Sequence, residues 1–210
     1  MPAVSSSADG SSVKGDLGDA EIAAEKQLSR CEEMVQYSIE RCPKVKFMRE
    51  KLEKLGCEMP TGMFSCRPCE GMNISGGFIP PTKNAEGKLS RAEVVLCSDK
   101  GVNQTMMDHT MAHELIHAYD QCRVKLERSN CLHVACTEIR ASNTSGECSF
   151  NMEVRRGHFK WGGQQKACVK RRAELSLKAT PGCADRAAEY VNSAFKPCYY
   201  DTEPYDKNPP

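Results

Sequence analysis

Thirteen cysteines, spread over almost the whole chain, constrain the fold of this sequence more than any other feature. Only Cys66 and Cys69 have the spacing found in zinc ribbons, which need two such pairs. Isolated cysteines suit disulfides better than structural zinc sites, and disulfides persist in oxidising compartments. We therefore predict a fold held mostly by disulfides, with at least one thiol left free or paired elsewhere because the count is odd. The cysteines are at positions 31, 42, 57, 66, 69, 97, 122, 131, 136, 148, 168, 183 and 198.

The remaining composition argues against several functional classes. A formal net charge of +1 provides no overall field that would attract nucleic acid or an anionic membrane. Residues 1–19 are rich in Ser, Gly and Asp, and they lack the patterns of a secretory signal or a transit peptide. No apolar run approaches the ~18 residues of a membrane span. Many cysteines without an export signal are consistent with the mitochondrial intermembrane space, where oxidative folding traps proteins.

Hydrophobic spacing predicts one mostly helical α+β domain between two tails. Residues 1–19 are predicted to be a disordered tail, residues 20–200 a single domain, and residues 201–210 a C-terminal tail. The domain is expected to open with a helical pair, Asp19–Cys42 followed by Val45–Leu55.

A small sheet is expected between this pair and the later helices. Residues 57–90 are rich in Gly and Pro and predict turns with short strands. Ala92–Cys97 is the best strand candidate because it is short and β-branched. The later helices are predicted at Asn103–Lys125, Leu132–Ser142, Gln164–Lys178 and Pro181–Phe195.

The predicted helix that begins at Asn103 carries the motif His-Glu-Leu-Ile-His at residues 113–117. Residues four apart on a helix lie about 40° apart around its axis, so His113 and His117 can bind one Zn²⁺. Glu114 then lies beside the metal, where its carboxylate can accept a proton from water activated by zinc and pass it to a leaving amine. The pattern predicts a zinc metallopeptidase with Glu114 as its base. The alternative is a surface helix with two solvent-facing histidines.

Two neighbouring features favour the peptidase interpretation. Leu115 and Ile116 are apolar, as expected when the back of the motif helix is buried in a core. The strand candidate Ala92–Cys97 lies just upstream, where zinc peptidases commonly have an edge strand that pairs with substrate.

A catalytic zinc usually has three protein ligands, so a third ligand is expected further along the chain. The candidates are His133, Glu138, Glu147 and His158. We favour Glu138, which lies 21 residues after His117 on the next predicted helix. His133 lies about 140° around that helix from Glu138, so the two can hardly bind the ion together. His133 remains an alternative ligand, a hydrogen-bond donor to the transition state, or a solvent-facing helix-start histidine.

Support for the histidines is harder to locate from sequence. Asp120 lies two turns after His113 on the same helical face, so it could orient a ligand histidine or simply form a salt bridge. Peptidases with a glutamate ligand often have a supporting Asp one turn later, but Ser142 stands there in this chain. Three arginines that could contact substrate are expected instead on solvated helix faces, namely Arg140, Arg171 and Arg172.

Longer blocks around the motif resemble one family. The resemblance runs from about Cys42 to Pro204 and points to the mitochondrial inner membrane metalloproteases that mature the precursor of ATP synthase subunit a (subunit 6) and assist assembly of the membrane sector. It implies a zincin-like fold, zinc ligands at His113 and His117, and catalysis by Glu114. The blocks are Gly76–Phe78, Val95–Cys97, His113–Arg123, His133–Ala141, Ser145–Cys148 and Cys168–Ala173.

The resemblance also implies a location and partners. It implies a peripheral protein on the intermembrane-space side of the inner membrane, with oxidised cysteines. No nucleic-acid partner is expected, because the net charge is only +1. The implied partners are the subunit a precursor and inner-membrane assembly factors. Because the family's assembly role does not require the catalytic glutamate, the alternative is a mainly non-proteolytic chaperone or adaptor. A weaker alternative is a cytosolic or nuclear zinc adaptor with reduced cysteines. Cys131 and Cys183 look additional to the family's usual set, which leaves the disulfide pairing open.

Overall fold

The computed structural model describes residues 13–57, 59–83, 86–88, 90–159 and 162–206, and the side chains from residue 18 onward within those ranges. The predicted α+β class, mostly helical with a small sheet, is confirmed. None of the helices in these ranges is long and apolar enough to cross a membrane. The helices are α1 (Val13–Arg41), α2 (Pro43–Lys54), α3 (Gln104–Arg123), α4 (Cys131–Thr144), α5 (Phe150–Arg155), α6 (Gln164–Lys178) and α7 (Ala187–Tyr200), and the strands are β1 (Phe64–Arg67), β2 (Gly76–Ile79) and β3 (Glu93–Cys97).

The helix ends differ from prediction at both ends of the chain. Helix α1 begins at Val13 rather than Asp19, so part of the predicted tail is helical, while residues 1–12 lie outside the described ranges. Helix α7 continues beyond the predicted end at Phe195, through Pro197. A proline removes one helix hydrogen bond, but a disulfide from Cys198 to α4 holds this last turn in place. The short helix α5 was not predicted.

The segment predicted as a C-terminal tail is partly packed against the domain. The Tyr205 ring stacks on Phe47 of α2, with ring centroids 4.8 Å apart. The backbone carbonyls of Asp201 and Glu203 accept hydrogen bonds from Arg140 of α4, each at 2.5 Å. Residues 201–206 are therefore anchored to the domain.

Two apolar cores flank the junction of α3 and α4. The first lies between α1, α2, the sheet and α3, and it includes the fully buried Leu115 and Ile116. The second lies between α4, α6 and α7. The predicted burial of the back of the motif helix is confirmed. Because α3 packs in the first core and α4 packs mainly in the second, side chains at their contact are held from both sides.

The sheet has the strand order β1-β3-β2, with β3 parallel to β1 and antiparallel to β2. The strand predicted from Ala92–Cys97 is therefore central and not an edge strand, because two short strands from the Gly- and Pro-rich region flank it. The edge strand that packs on α3 is β2. A Cβ atom on Gly76 would lie 2.8 Å from Thr110 Cγ2 and 2.7 Å from the Val95 oxygen. Glycine thus permits the close approach of β2 to α3.

Six disulfides confirm the prediction that most cysteines are oxidised, and Cys42 is a buried free thiol. Cys66 and Cys69 belong to different disulfides, so their spacing is not that of a zinc site. Cys131 and Cys183, whose pairing the sequence left open, pair with each other. The pairs are Cys31–Cys66, Cys57–Cys122, Cys69–Cys97, Cys131–Cys183, Cys136–Cys198 and Cys148–Cys168.

Candidate active site

Helices α3 and α4 bring three predicted ligands together. His113 and His117 lie one turn apart on α3, with ring centroids 4.7 Å apart and the rings edge to face. Glu138 of α4 faces both rings: its Oε2 lies 3.5 Å from His113 Nε2 and its Oε1 lies 3.5 Å from His117 Nε2. The start of α4 is fixed locally, because the Asn130 side chain accepts a hydrogen bond from the Leu132 N–H.

The geometry of these three side chains fits a metal ion. One candidate ligand atom from each residue lies within 4.8 Å of the other two. Tetrahedral zinc, with bonds of about 2.0–2.2 Å to nitrogen and oxygen, requires ligand atoms roughly 3.3–3.6 Å apart. Each histidine Nε2 has one oxygen of Glu138 at 3.5 Å, within this range: Oε2 for His113 and Oε1 for His117. Glu138 Oε2 is also buried without a hydrogen-bond partner among the described residues, so its lone pairs are available to a cation.

Glu147 orients His113. Its Oε1 lies 3.0 Å from His113 Nδ1, and its Oε2 accepts a hydrogen bond of 2.9 Å from Arg172 Nε. A proton on Nδ1, donated to this carboxylate, leaves His113 Nε2 free to bind a metal. The structure thus places Glu147, a candidate third ligand by sequence, behind His113 and not in the group of three.

Asp120 acts on His117 through Thr137. The Thr137 hydroxyl lies 2.9 Å from His117 Nδ1 and donates a hydrogen bond of 2.8 Å to Asp120 Oδ2. Arg140 Nε in turn lies 3.0 Å from both carboxylate oxygens of Asp120. These hydrogen bonds hold the His117 ring with its Nε2 toward Glu138. Both roles considered for Asp120 therefore occur: it supports a histidine and forms a salt bridge.

The environment separates the acids of the site into two kinds. Burial raises the pKa of Glu114, against the charges of His113 and His117. Burial opposes ionisation of Glu138 as well, but the charges of the same two histidines prevail and hold its pKa at about 2. The pKa of Glu147 is also lowered, because its contacts with His113 outweigh burial. Glu138 and Glu147 are thus suited to remain anionic, whereas Glu114 is suited to exchange a proton.

The remaining ligand candidates lie outside the group of three. His133 Nδ1 accepts a hydrogen bond of 3.2 Å from the Glu127 N–H, so this side chain binds the backbone of the loop before α4. His158 is exposed just after α5.

The expectation that three arginines occupy solvated faces is wrong for Arg140, which is 1% exposed. Its burial is possible because Asp120 and two carbonyl groups of the C-terminal segment satisfy its donors. Arg172 pairs with Glu147, and Arg171 pairs with the buried Glu153.

Thr137 contacts the candidate site but is not predicted from the sequence. Its only sequence signal is its position, immediately before Glu138 on α4. Neighbouring residues on a helix point about 100° apart, so a hydroxyl beside a ligand on one helix can reach the ring of a ligand on another.

Two histidines one helical turn apart, a glutamate between them and a carboxylate from the next helix define a site of the metallopeptidase type. The comparison with known families agrees: the model of the Peptidase M76 family matches residues 29–206, and the chain belongs to this family. The resemblance found in the sequence is thereby confirmed.

Named relatives are similar over most of the chain. This chain is 39% identical over 182 residues to the mitochondrial inner membrane protease atp23 of Aspergillus clavatus. The aligned region covers 85% of this chain and 72% of that protein. It is 34% identical over 185 residues to the protein of the same name in Schizosaccharomyces pombe, over 87% of this chain and 94% of that protein. No solved structure matches. The relatives support a protease.

Proposed function

We propose that this protein is a zinc metalloendopeptidase with a zincin-like fold, and that His113, His117 and Glu138 hold the zinc. The observation that carries the proposal is the convergence of the three ligand atoms within 4.8 Å. Two imidazoles and one carboxylate are a donor set that suits catalytic zinc, which keeps a further position open for water or substrate. When bound, zinc polarises a peptide carbonyl and lowers the pKa of water toward neutrality.

The chain's own residues then orient the site and move the proton. Glu147 and Thr137 hold the two imidazole rings with their Nε2 atoms toward Glu138. Glu114, 6% exposed on α3, takes a proton from the attacking water as the oxygen–carbon bond forms. It gives this proton to the amine as the carbon–nitrogen bond of the peptide breaks.

We further propose the intermembrane-space side of the mitochondrial inner membrane as the location, with peripheral attachment. The names of the relatives support the mitochondrial inner membrane. Six disulfides favour an oxidising compartment over the alternative of a reduced cytosolic or nuclear adaptor. The proposed substrate is the precursor of ATP synthase subunit a, and the proposed partners include inner-membrane assembly factors.

Replacing Glu114 by glutamine tests the proteolytic function. The amide preserves size but cannot accept the proton, so we expect the rate of precursor cleavage to fall by about 10²–10⁴-fold. Metal content and melting temperature should stay near the wild-type values, because Glu114 is not one of the three ligands. The measurement is cleavage of the radiolabelled subunit a precursor by purified protein.

Glu127→Gln is the matched control, since Glu127 is an exposed acid in the loop before α4. A Glu114→Gln variant that cleaves at the wild-type rate would refute the assignment of Glu114. Expression of the same variant in cells that lack the protein separates the two roles. Restored ATP synthase assembly without cleavage would show that the chaperone role does not need proteolysis.

A further inference from the structure

The outer edge of β2 presents backbone groups that are not bonded to another strand. The Ser75 oxygen accepts a hydrogen bond of 2.9 Å from the Cys97 N–H, so these residues form a hydrogen-bonded pair across the antiparallel ladder. Such pairs alternate along a ladder. Gly77 therefore bonds to β3, whereas Gly76 and Phe78 turn their N–H and C=O groups away from it. The outward groups lie on the side of β2 where a further strand could add.

Arg128 contacts this edge at Phe78. It belongs to the loop between α3 and α4, and its Nη2 donates a hydrogen bond of 3.3 Å to the Phe78 oxygen. Its guanidinium carbon lies 5.8 Å from the centre of the Phe78 ring. The guanidinium has five N–H donors, and no carboxylate of the described residues forms an ion pair with it. Most of its hydrogen-bonding capacity is thus uncommitted.

The strand that Arg128 contacts is also close to the proposed catalytic centre. Strand β2 packs on α3, where a Cβ atom on Gly76 would lie 2.8 Å from Cγ2 of Thr110, three residues before His113. Burial lowers the pKa of Arg128, while the negative charges of Glu138 and Glu114 act in the opposite direction. Arg128 therefore contacts the edge strand that packs beside the motif helix. A peptide that lies along β2 with its scissile bond at the site has to pass this side chain.

We infer that Arg128 is a substrate-binding residue whose guanidinium donates to a backbone carbonyl oxygen of the peptide being cleaved. A peptide that adds to β2 uses the outward N–H and C=O of Phe78 and displaces Arg128 from the Phe78 oxygen. The freed donors then lie beside the new strand, whose carbonyl oxygens are acceptors of the same kind. This inference rests on the proposed peptidase function and names a residue that its mechanism does not use.

Peptide binding to a catalytically inactive protein tests the contact directly. The probe is a fluorescein-labelled decapeptide that the wild-type protein cleaves, and its Kd is measured by anisotropy in the Glu114→Gln background. We expect Arg128→Ala to raise this Kd by about 10–100-fold, the range of a hydrogen bond to a charged donor. Arg128→Lys should give an intermediate Kd because it keeps the charge but not the planar fork of donors.

Arg67→Ala is the matched control. Arg67 is a half-exposed arginine on β1, the other edge strand of the sheet, and its Nη1 lies 3.6 Å from Glu93. We expect this variant to bind the peptide as tightly as the Glu114→Gln parent. The melting temperature of every variant is recorded, so that a loss of binding is not mistaken for a loss of folding.

Kinetics with Glu114 intact provide the second readout. Arg128→Ala removes a contact that is made when the peptide binds and is kept in the transition state. Its loss should raise KM about 10–100-fold and change kcat less than about threefold. Unchanged Kd and KM would overturn the inference. Tighter binding or faster cleavage would overturn it as well, because Arg128 would then be a latch that closes the edge of β2. Either result, with cleavage still abolished by Glu114→Gln, would leave the peptidase proposal intact.

Discussion

Glu138→Ala is expected to raise the Kd for zinc by more than about 100-fold. Removing a residue that hydrogen-bonds to a metal-binding histidine lowers metal affinity by about 10–100-fold. Removing a direct ligand should lower it further. Glu138 provides the carboxylate that faces both histidines, with its oxygens 3.5 Å from their Nε2 atoms. Competition with a chromophoric chelator measures the Kd, and circular dichroism confirms that the metal-free variant remains folded.

Two further variants show whether this loss is specific. Thr137→Val keeps the shape of the side chain but removes the hydroxyl between His117 and Asp120. It should weaken zinc binding by about 10–100-fold. Glu127→Ala, which removes an exposed acid next to α4, should leave the Kd unchanged. Wild-type zinc affinity in Glu138→Ala, together with its loss in His133→Ala, would exchange the roles of these two residues.

Arg140→Met is expected to lower the free energy of unfolding by about 3–5 kcal/mol, the range found when one partner of a buried ion pair is removed. Arg140 is 1% exposed and bonds to both oxygens of Asp120 and to two carbonyl groups of the C-terminal segment. Methionine fills similar space but leaves these acceptors buried with fewer partners. Urea denaturation of the metal-free protein with its disulfides intact provides the measurement.

The exposed ion pair of Arg186 with Glu189 provides the comparison. Both side chains are more than half exposed, so Arg186→Met should have little effect on unfolding. If Arg140→Met unfolds at the same urea concentration as the wild-type protein, the buried network does not stabilise the domain as described. Equal effects of the two variants would contradict it in the same way.

The parts of the site set by local geometry could be predicted from sequence. The spacing of His113 and His117 fixes two ligands on one helical face, because an α-helix has 3.6 residues per turn. The apolar pair Leu115 and Ile116 indicated which face of α3 is buried. Helix α6 was predicted with its observed bounds, because its apolar residues keep a helical period between a preceding glycine pair and a following proline.

The parts set by long-range contacts could not be predicted. The bond from Glu147 to His113 joins residues 34 positions apart, and no spacing rule connects an acid in a loop with a histidine on an earlier helix. Arg140 belongs to a residue type that is usually solvated, and its burial depends on a C-terminal segment whose composition predicts a tail.

Sheet order and disulfide pairing were undetermined for the same reason. Strand β3 was correctly located, but the short strands β1 and β2 on either side lie in a region dominated by turn residues. Cysteine positions alone permit many connectivities. The observed pairs depend on which helices pack together, as in the link from Cys136 of α4 to Cys198 of α7.

Anomalous diffraction at the zinc absorption edge, from crystals of the zinc-loaded protein, tests the central claim most directly. The account predicts one peak per chain, about 2.0–2.2 Å from Nε2 of His113, Nε2 of His117 and a carboxylate oxygen of Glu138. Glu147 and Thr137 should remain bonded to the two Nδ1 atoms. A zinc ion bound by His133 or Glu147 in place of Glu138, or the absence of any peak between α3 and α4, would contradict the account.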